Sequence, residues 1–406
     1  MDRRSFIGAA ALGAAALATD ARGDREVGSA MDNGGKPVSN TQRSADRQGD
    51  RCMGVQIGFP YPFTGFNSLT FTNCYASLYM HLEGIVGIDD YECPKREGKP
   101  CNGCGHCNSS TGKKQEAYYF ILDTLSGRSS VRPTFADTPD DTDSAPETID
   151  FLMGLTGYGY RIVQEGAIQE ARASIDRGTP VLARMKDPAN GAFRVLTGYE
   201  GDTLIAPDPA GAQGQPTQPT CADVAQVIVV TGKVPPRFSL LDGLERIRTV
   251  MLRNREARVW EQCREQFDYW DGGMQELDFE EIQRRFQRIC QMAWYNFNCH
   301  NFAETFRQRV WEPLKDPRLD GVCQQIDYSY HNSHTRNWQL IGLYECRDWS
   351  SRRYHELEWG YCACVVQCLE RLQEYDAEVL AAVEQAIAIV GGDGRPRSPR
   401  RRRKRA

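Results

Sequence analysis

What this chain lacks narrows it first. No uncharged apolar run approaches the ~18 residues of a membrane-crossing helix, which argues against a polytopic membrane protein. Histidine is scarce, with six in 406 residues, so chemistry that needs an imidazole has few places to find one. Residues 19–58 hold no aromatic residue and few branched aliphatics. Such a stretch cannot bury enough surface to offset its ordering entropy and reads as a disordered linker. Acid is missing from residues 395–406, which hold eight Lys or Arg. The whole chain carries a formal net charge of −5, so setting those eight charges aside leaves −13 on the rest. An acidic body with a basic tail does not fit a nucleic-acid-binding domain, which spreads basic residues over a folded face. Residues 392–406 read as a disordered basic tail able to touch anionic surfaces.

Cysteine, by contrast, is abundant: fifteen, an odd number that complete pairing within one chain cannot use up. Cys93, Cys101, Cys104 and Cys107 follow the pattern C-x7-C-x2-C-x2-C. Two-residue spacers let thiolates converge on one ion, and the glycines between them permit tight turns. Four such ligands suit a tetrahedral Zn²⁺, with an iron–sulfur cluster as the alternative. In an oxidising compartment the same four close two disulfides and hold no metal. The remaining cysteines fall mostly on helical patterns and read as small core residues.

The N-terminal Arg3-Arg4-Ser5-Phe6-Ile7, the Ala/Gly/Leu run to Ala18 and Ala16-Leu17-Ala18 resemble a twin-arginine export signal over residues 1–18. This implies an exported protein; translation from Met53 would leave a cytosolic one.

Hydrophobic residues at 40% and charged residues at 25% are ordinary for a globular chain, and the length suits two or more domains. The pattern divides near residue 237. Before it, helix signals at 73–84, 115–125 and 167–176 mix with strand signals at 180–185, 193–199, 203–206 and 227–230, with a tight hairpin at Glu200-Gly201-Asp202. After Pro235-Pro236 the pattern is helical: Ser239 with Asp242 and Asp278 with Glu281 are capping pairs, and a last helix spans about 360–390. The expected class is α+β: a domain at 59–237 with a cysteine-rich insert at 93–107, then an all-helical domain at 238–391.

Asn73-Cys74-Tyr75-Ala76-Ser77 places a cysteine at a helix start, where unpaired N–H groups favour thiolate and can hold an oxyanion. A hairpin, Phe193 to Asp202, follows, and then Ala206-Pro207-Asp208-Pro209. This order resembles the papain-like superfamily, nearest the C39-like peptidases and the N-terminal domains of butirosin-type acyltransferases, over residues 66–235. The resemblance implies that Cys74 is the nucleophile of a hydrolase or acyltransferase acting on an amide or thioester of a small molecule or peptide. It implies that Asp208 is the carboxylate that orients a histidine. The family's histidine falls at Ala192, seven residues before Tyr199. A thiol without a base is sluggish. Of the six histidines, His81 lies ~10 Å along the Cys74 helix, and His300 in Asn298-Cys299-His300-Asn301 is the candidate to close over Cys74. Without such a base, the chain reads as a catalytically inactive binding protein on the same fold.

Overall fold

The computed structural model describes residues 55–57, 70–85, 114–135, 145–186, 192–206, 219–269, 274–347, 349 and 358–392. In chain order the first half comprises β1 (Val55–Gln56), α1 (Phe71–Leu82), α2 (Lys114–Leu125), α3 (Pro146–Thr156), β2 (Tyr158–Val163), α4 (Ala167–Asp176), β3 (Val181–Met185), β4 (Phe193–Leu196), β5 (Gly198–Glu200), β6 (Thr203–Ile205) and β7 (Val224–Lys233). The second half comprises α5 (Leu240–Glu256), α6 (Val259–Glu265), α7 (Phe279–Asn296), α8 (Asn298–Gln308), α9 (Asp320–Glu345) and α10 (Glu358–Gly391). The fold is therefore mixed helix and antiparallel sheet, as the alternation of periods predicts. Among the described residues no helix is long and apolar enough to cross a membrane. The export signal expected at 1–18 and the basic run at 393–406 lie outside the described residues.

The main sheet has the antiparallel order β2-β7-β3-β4. Its central strands β7 and β3, with β4, send side chains alternately into two cores, while the edge strand β2 is largely exposed or half-buried. Leu182, Phe193, Val195, Ile228 and Val230 join the core that holds α1, α2 and α3. Val181, Ala183, Leu196, Val227 and Val229 join the core under α4. A second sheet runs β1-β5-β6, with the turn at Gly201-Asp202 that the hairpin signal predicts. Two expectations change here. The strand expected at 193–199 breaks at Thr197, and its two parts serve different sheets. The stretch read as linker is paired at its end: Val55 and Gln56 lie opposite Tyr199 and Gly198. A Cβ on Gly198 would stand 2.2 Å from the Val55 carbonyl oxygen, so only glycine lets these strands approach so closely.

The change at residue 237 is one of secondary structure, not of core. Leu240, Leu244, Ile247, Phe302, Tyr330 and Val383 from the helical half share a core with Phe71, Phe120 and Leu152 from the first half. Two polar clamps reinforce this joint. Arg132, 2% exposed, grips Asp376 of α10 through Nε at 3.1 Å and Nη2 at 2.8 Å, and donates to Tyr330 of α9 at 2.8 Å. Trp260 donates to the same Asp376 at 2.8 Å. On α2, the fully buried Asp123 accepts from Arg128, Ser129 and, across the joint, Asn301 of α8 at 3.1 Å. The two clamps fix α8 and α9 against the first half.

Candidate functional site

The helix carrying Cys74 begins one turn earlier than expected. Thr70 is its N-cap and accepts from the Asn73 N–H at 3.3 Å, while the Cys74 N–H donates to the Thr70 carbonyl at 3.1 Å. The two N–H groups expected to face an oxyanion are thus spent within the first turn. The Cys74 side chain is 0% exposed, in a core with Phe71, Tyr75 and Leu78. Phe71 meets Phe193 of β4 edge-on at 5.5 Å, which brings the start of α1 to the strand that follows Ala192. Asp208 and the four clustered cysteines, Cys93, Cys101, Cys104 and Cys107, lie outside the described residues.

His300 has other company than the expected Cys74. α2 packs on α1 and also on α8, and Phe120 of α2 meets the His300 ring edge-on at 5.9 Å. The other ring neighbours of His300 are His334 at 4.9 Å and His331 at 5.8 Å, both on α9. One ring nitrogen each of His300 and His331 and one carboxylate oxygen of Glu304 lie within 4.8 Å of one another.

Helical spacing builds this group. His300 and Glu304 are one turn apart on α8, as are Asp327 and His331 on α9, so each pair shares a face. The clamps at Asn301 and Tyr330, each one residue from a histidine, turn the two faces toward each other. His331 sits between two carboxylates. Its Nε2 is 3.3 Å from Glu304 Oε1. Its Nδ1 is 2.6 Å from Asp327 Oδ1, yet the hydrogen bond from that nitrogen runs to the Asp327 carbonyl oxygen at 3.1 Å, and Oδ1 itself has no hydrogen-bond partner. Glu304 is further held by Arg307 and Gln308.

These contacts set the charges. Burial opposes charge on His331, but the carboxylates of Asp327 and Glu304 outweigh it and hold the imidazole up at about 9. Burial likewise favours the neutral form of Glu304, and contacts from His331, Arg307 and Gln308 overcome it, bringing the carboxyl to about 2. Burial first, then His300 and His331, push His334 down to about 3, and the Glu304 carboxylate offsets only part of this. His300 is lowered as well, chiefly by burial.

Two imidazole nitrogens and a carboxylate oxygen are the donors that first-row divalent ions take. Ligands at ~2.1 Å around a tetrahedral ion stand roughly 3.4 Å apart, so modest side-chain rotation closes the set. Asp327 stands at the far nitrogen of His331, as carboxylates commonly do behind metal-bound imidazoles. Glu304, His331 and Asp327 escaped the sequence reading. The one-turn spacings His300–Glu304 and Asp327–His331 were the available signal.

Compared with known proteins, the chain matches no protein-family model, no curated protein and no solved structure.

Proposed function

We propose that this chain is a divalent-metal-binding protein whose working site is His300, Glu304 and His331. The observation that carries this reading is the convergence of the three donor atoms within 4.8 Å on two clamped helices. Glu304 is 3% exposed and His331 38%, so the set has a buried wall and a side open to solvent. Zn²⁺ is the ion of first choice for two imidazoles and one carboxylate with no thiolate.

The test is to titrate Zn²⁺ into the full chain and into His331→Ala and Glu304→Gln, reading stoichiometry calorimetrically. The wild type should bind one ion more than either variant, whatever the four clustered cysteines hold. Cobalt bound at the extra site should show ligand-field bands without thiolate charge transfer. Equal stoichiometry and affinity in all three proteins would overturn the proposal and leave the cluster as a buried ion-pair network.

The papain-like resemblance supplies a second reading, a Cys74 hydrolase or acyltransferase, supported by the packing of α1 on β4 through Phe71 and Phe193. It requires Cys74 to react in the native state, which iodoacetamide labelling measures directly. Cys74 modified only after denaturation leaves the metal reading alone.

A further inference from the structure

We infer that the metal-bearing face is a hydrolytic centre for esters or amides that carry an aromatic ring; this rests on the metal reading above. Two observations beyond the three donors lead here. First, among the described residues the donor set has three members, one short of a closed tetrahedron. Structural zinc sites fill all four positions with protein ligands, whereas catalytic ones keep one for water or substrate. His331, with 38% of its side chain exposed, gives the set a side that reaches solvent.

Second, an aromatic shelf runs up to the site. Trp294 and Trp338 meet edge-on at 5.5 Å, and both touch Phe297, at 5.2 and 4.8 Å. Phe297 in turn meets His334 at 4.5 Å, and His334 lies 4.9 Å from His300. The rings thus form an unbroken path from the two tryptophans to a donor of the metal set. Trp294 and Trp338 are 46% and 49% exposed, high for residues that usually bury most of their surface. The Trp294 indole N–H is fixed on Glu345 at 3.0 Å, so its ring is held in place. The rings are set edge to face, with Trp338 at 73° to Trp294 and 87° to Phe297, so a substrate ring can enter against a ring face or edge in a positioned aromatic surface that leads to the site.

His300, Glu304 and His331 would hold the ion, which would supply a polarised water molecule whose oxygen bonds to the substrate carbonyl carbon. The bond from that carbon to the leaving oxygen or nitrogen breaks, and the leaving atom receives the proton that water gave up. The products are a carboxylic acid and an alcohol or amine, and no oxidant or reductant enters. Within the chain, Asp327 orients His331, and Arg307 with Gln308 hold Glu304.

The experiment uses the zinc-loaded full chain with p-nitrophenyl phenylacetate and p-nitrophenyl acetate. The phenylacetate should show a kcat/KM about ten-fold above the acetate, the advantage that one stacked ring supplies. Trp338→Ala, and Trp338→Leu as a variant that keeps apolar bulk, should bring that ratio toward one. His331→Ala should lose turnover of both esters. If the wild type binds its extra zinc but hydrolyses neither ester faster than His331→Ala, the hydrolytic inference is wrong and the metal reading stands. If the ratio is unchanged in both Trp338 variants, the shelf does not select the substrate. If no extra zinc binds, both proposals fail together.

Discussion

Helix α1 and the α8–α9 pair each carry side chains capable of chemistry, and they treat them in opposite ways. Cys74 is sealed among apolar rings, and the N–H groups around it are consumed by the helix cap. On α8 and α9, imidazoles and carboxylates face one another, one wall buried and the other in solvent. The contrast teaches that a reactive residue type at a favourable helix position is not yet a site. What makes one is a set of polar groups left facing each other, on elements held in place by buried polar neighbours. Asp123 and Arg132 are such neighbours, and both reach from the first half of the chain into the second.

The largest effect should therefore come from cutting the joint. Arg132→Ala leaves Asp376 without its buried guanidinium partner, and breaking such a pair costs about 3–5 kcal/mol. Equilibrium denaturation should show that loss, along with weaker zinc binding at α8–α9, because Tyr330, beside His331, keeps its bond to Asp376 but loses its link to the first half. A variant with intact zinc affinity would show that the clamp does not position the site.

Next comes Asp327→Asn. It keeps the shape behind His331 and removes the charge, so zinc affinity should fall about 10–100-fold, the usual cost of losing a carboxylate behind a metal-bound imidazole. Circular dichroism should not change. Affinity equal to the wild type would place Asp327 outside the site's support.

The thiol side of the comparison is sharpened by labelling. Native Cys74 should react with iodoacetamide only through opening of its core, while the exposed Cys346 reacts at once and serves as the internal reference. Ala192→His restores the base that the resemblance places there, and a rise in native Cys74 labelling would revive the thiol reading.

Much of this arrangement was legible, but only where the signal was local. The capping pairs Ser239–Asp242 and Asp278–Glu281 stand as read, as does the turn before β6. Helix α9 left little trace because it buries residues on several faces, and these include Ser329, Ser333 and Asn337, which blur an apolar stripe. Strand β2 was missed because its residues from Gly159 to Val163 are half-buried or, at Arg161 and Ile162, exposed, so no continuous apolar run marks it. The metal group was legible only as two one-turn spacings, His300–Glu304 and Asp327–His331, since Glu304 and His331 meet only after two helices pack. That packing depends on Asn301 and Tyr330, whose partners lie far away in sequence.

A smaller effect separates the ion-pair state of the cluster from its metal-bound state by pH. The His331 pKa is raised in the folded chain to about 9 from an ordinary 6.5. Its contribution to stability is then fully present below pH 6.5 and is lost as pH rises through 9. Zinc-free protein should lose thermal stability across that window, and His331→Ala should flatten the slope. Zinc affinity should move the other way and rise with pH, because the ligand nitrogen must shed its proton. A zinc-free protein whose stability is level from pH 6.5 to 9 would mean that His331 is not held between charged carboxylates.

The smallest effect tests whether the sheet half and the helical half meet by packing or by local capping. Ser239 caps α5 at the point where the chain leaves β7: its side chain faces the Asp242 N–H, and Asp242 reaches back to the Ser239 N–H at 2.8 Å. Ser239→Ala removes one side of that box and should cost about 1 kcal/mol in equilibrium denaturation. Because Leu240, Leu244 and Ile247 stay anchored in the shared core, the loss should leave the denaturant slope and the zinc affinity unchanged. A loss of several kcal/mol, or a transition that splits in two, would mean that the cap rather than the core holds the halves together, and the site on α8–α9 would then not share the stability of the sheet.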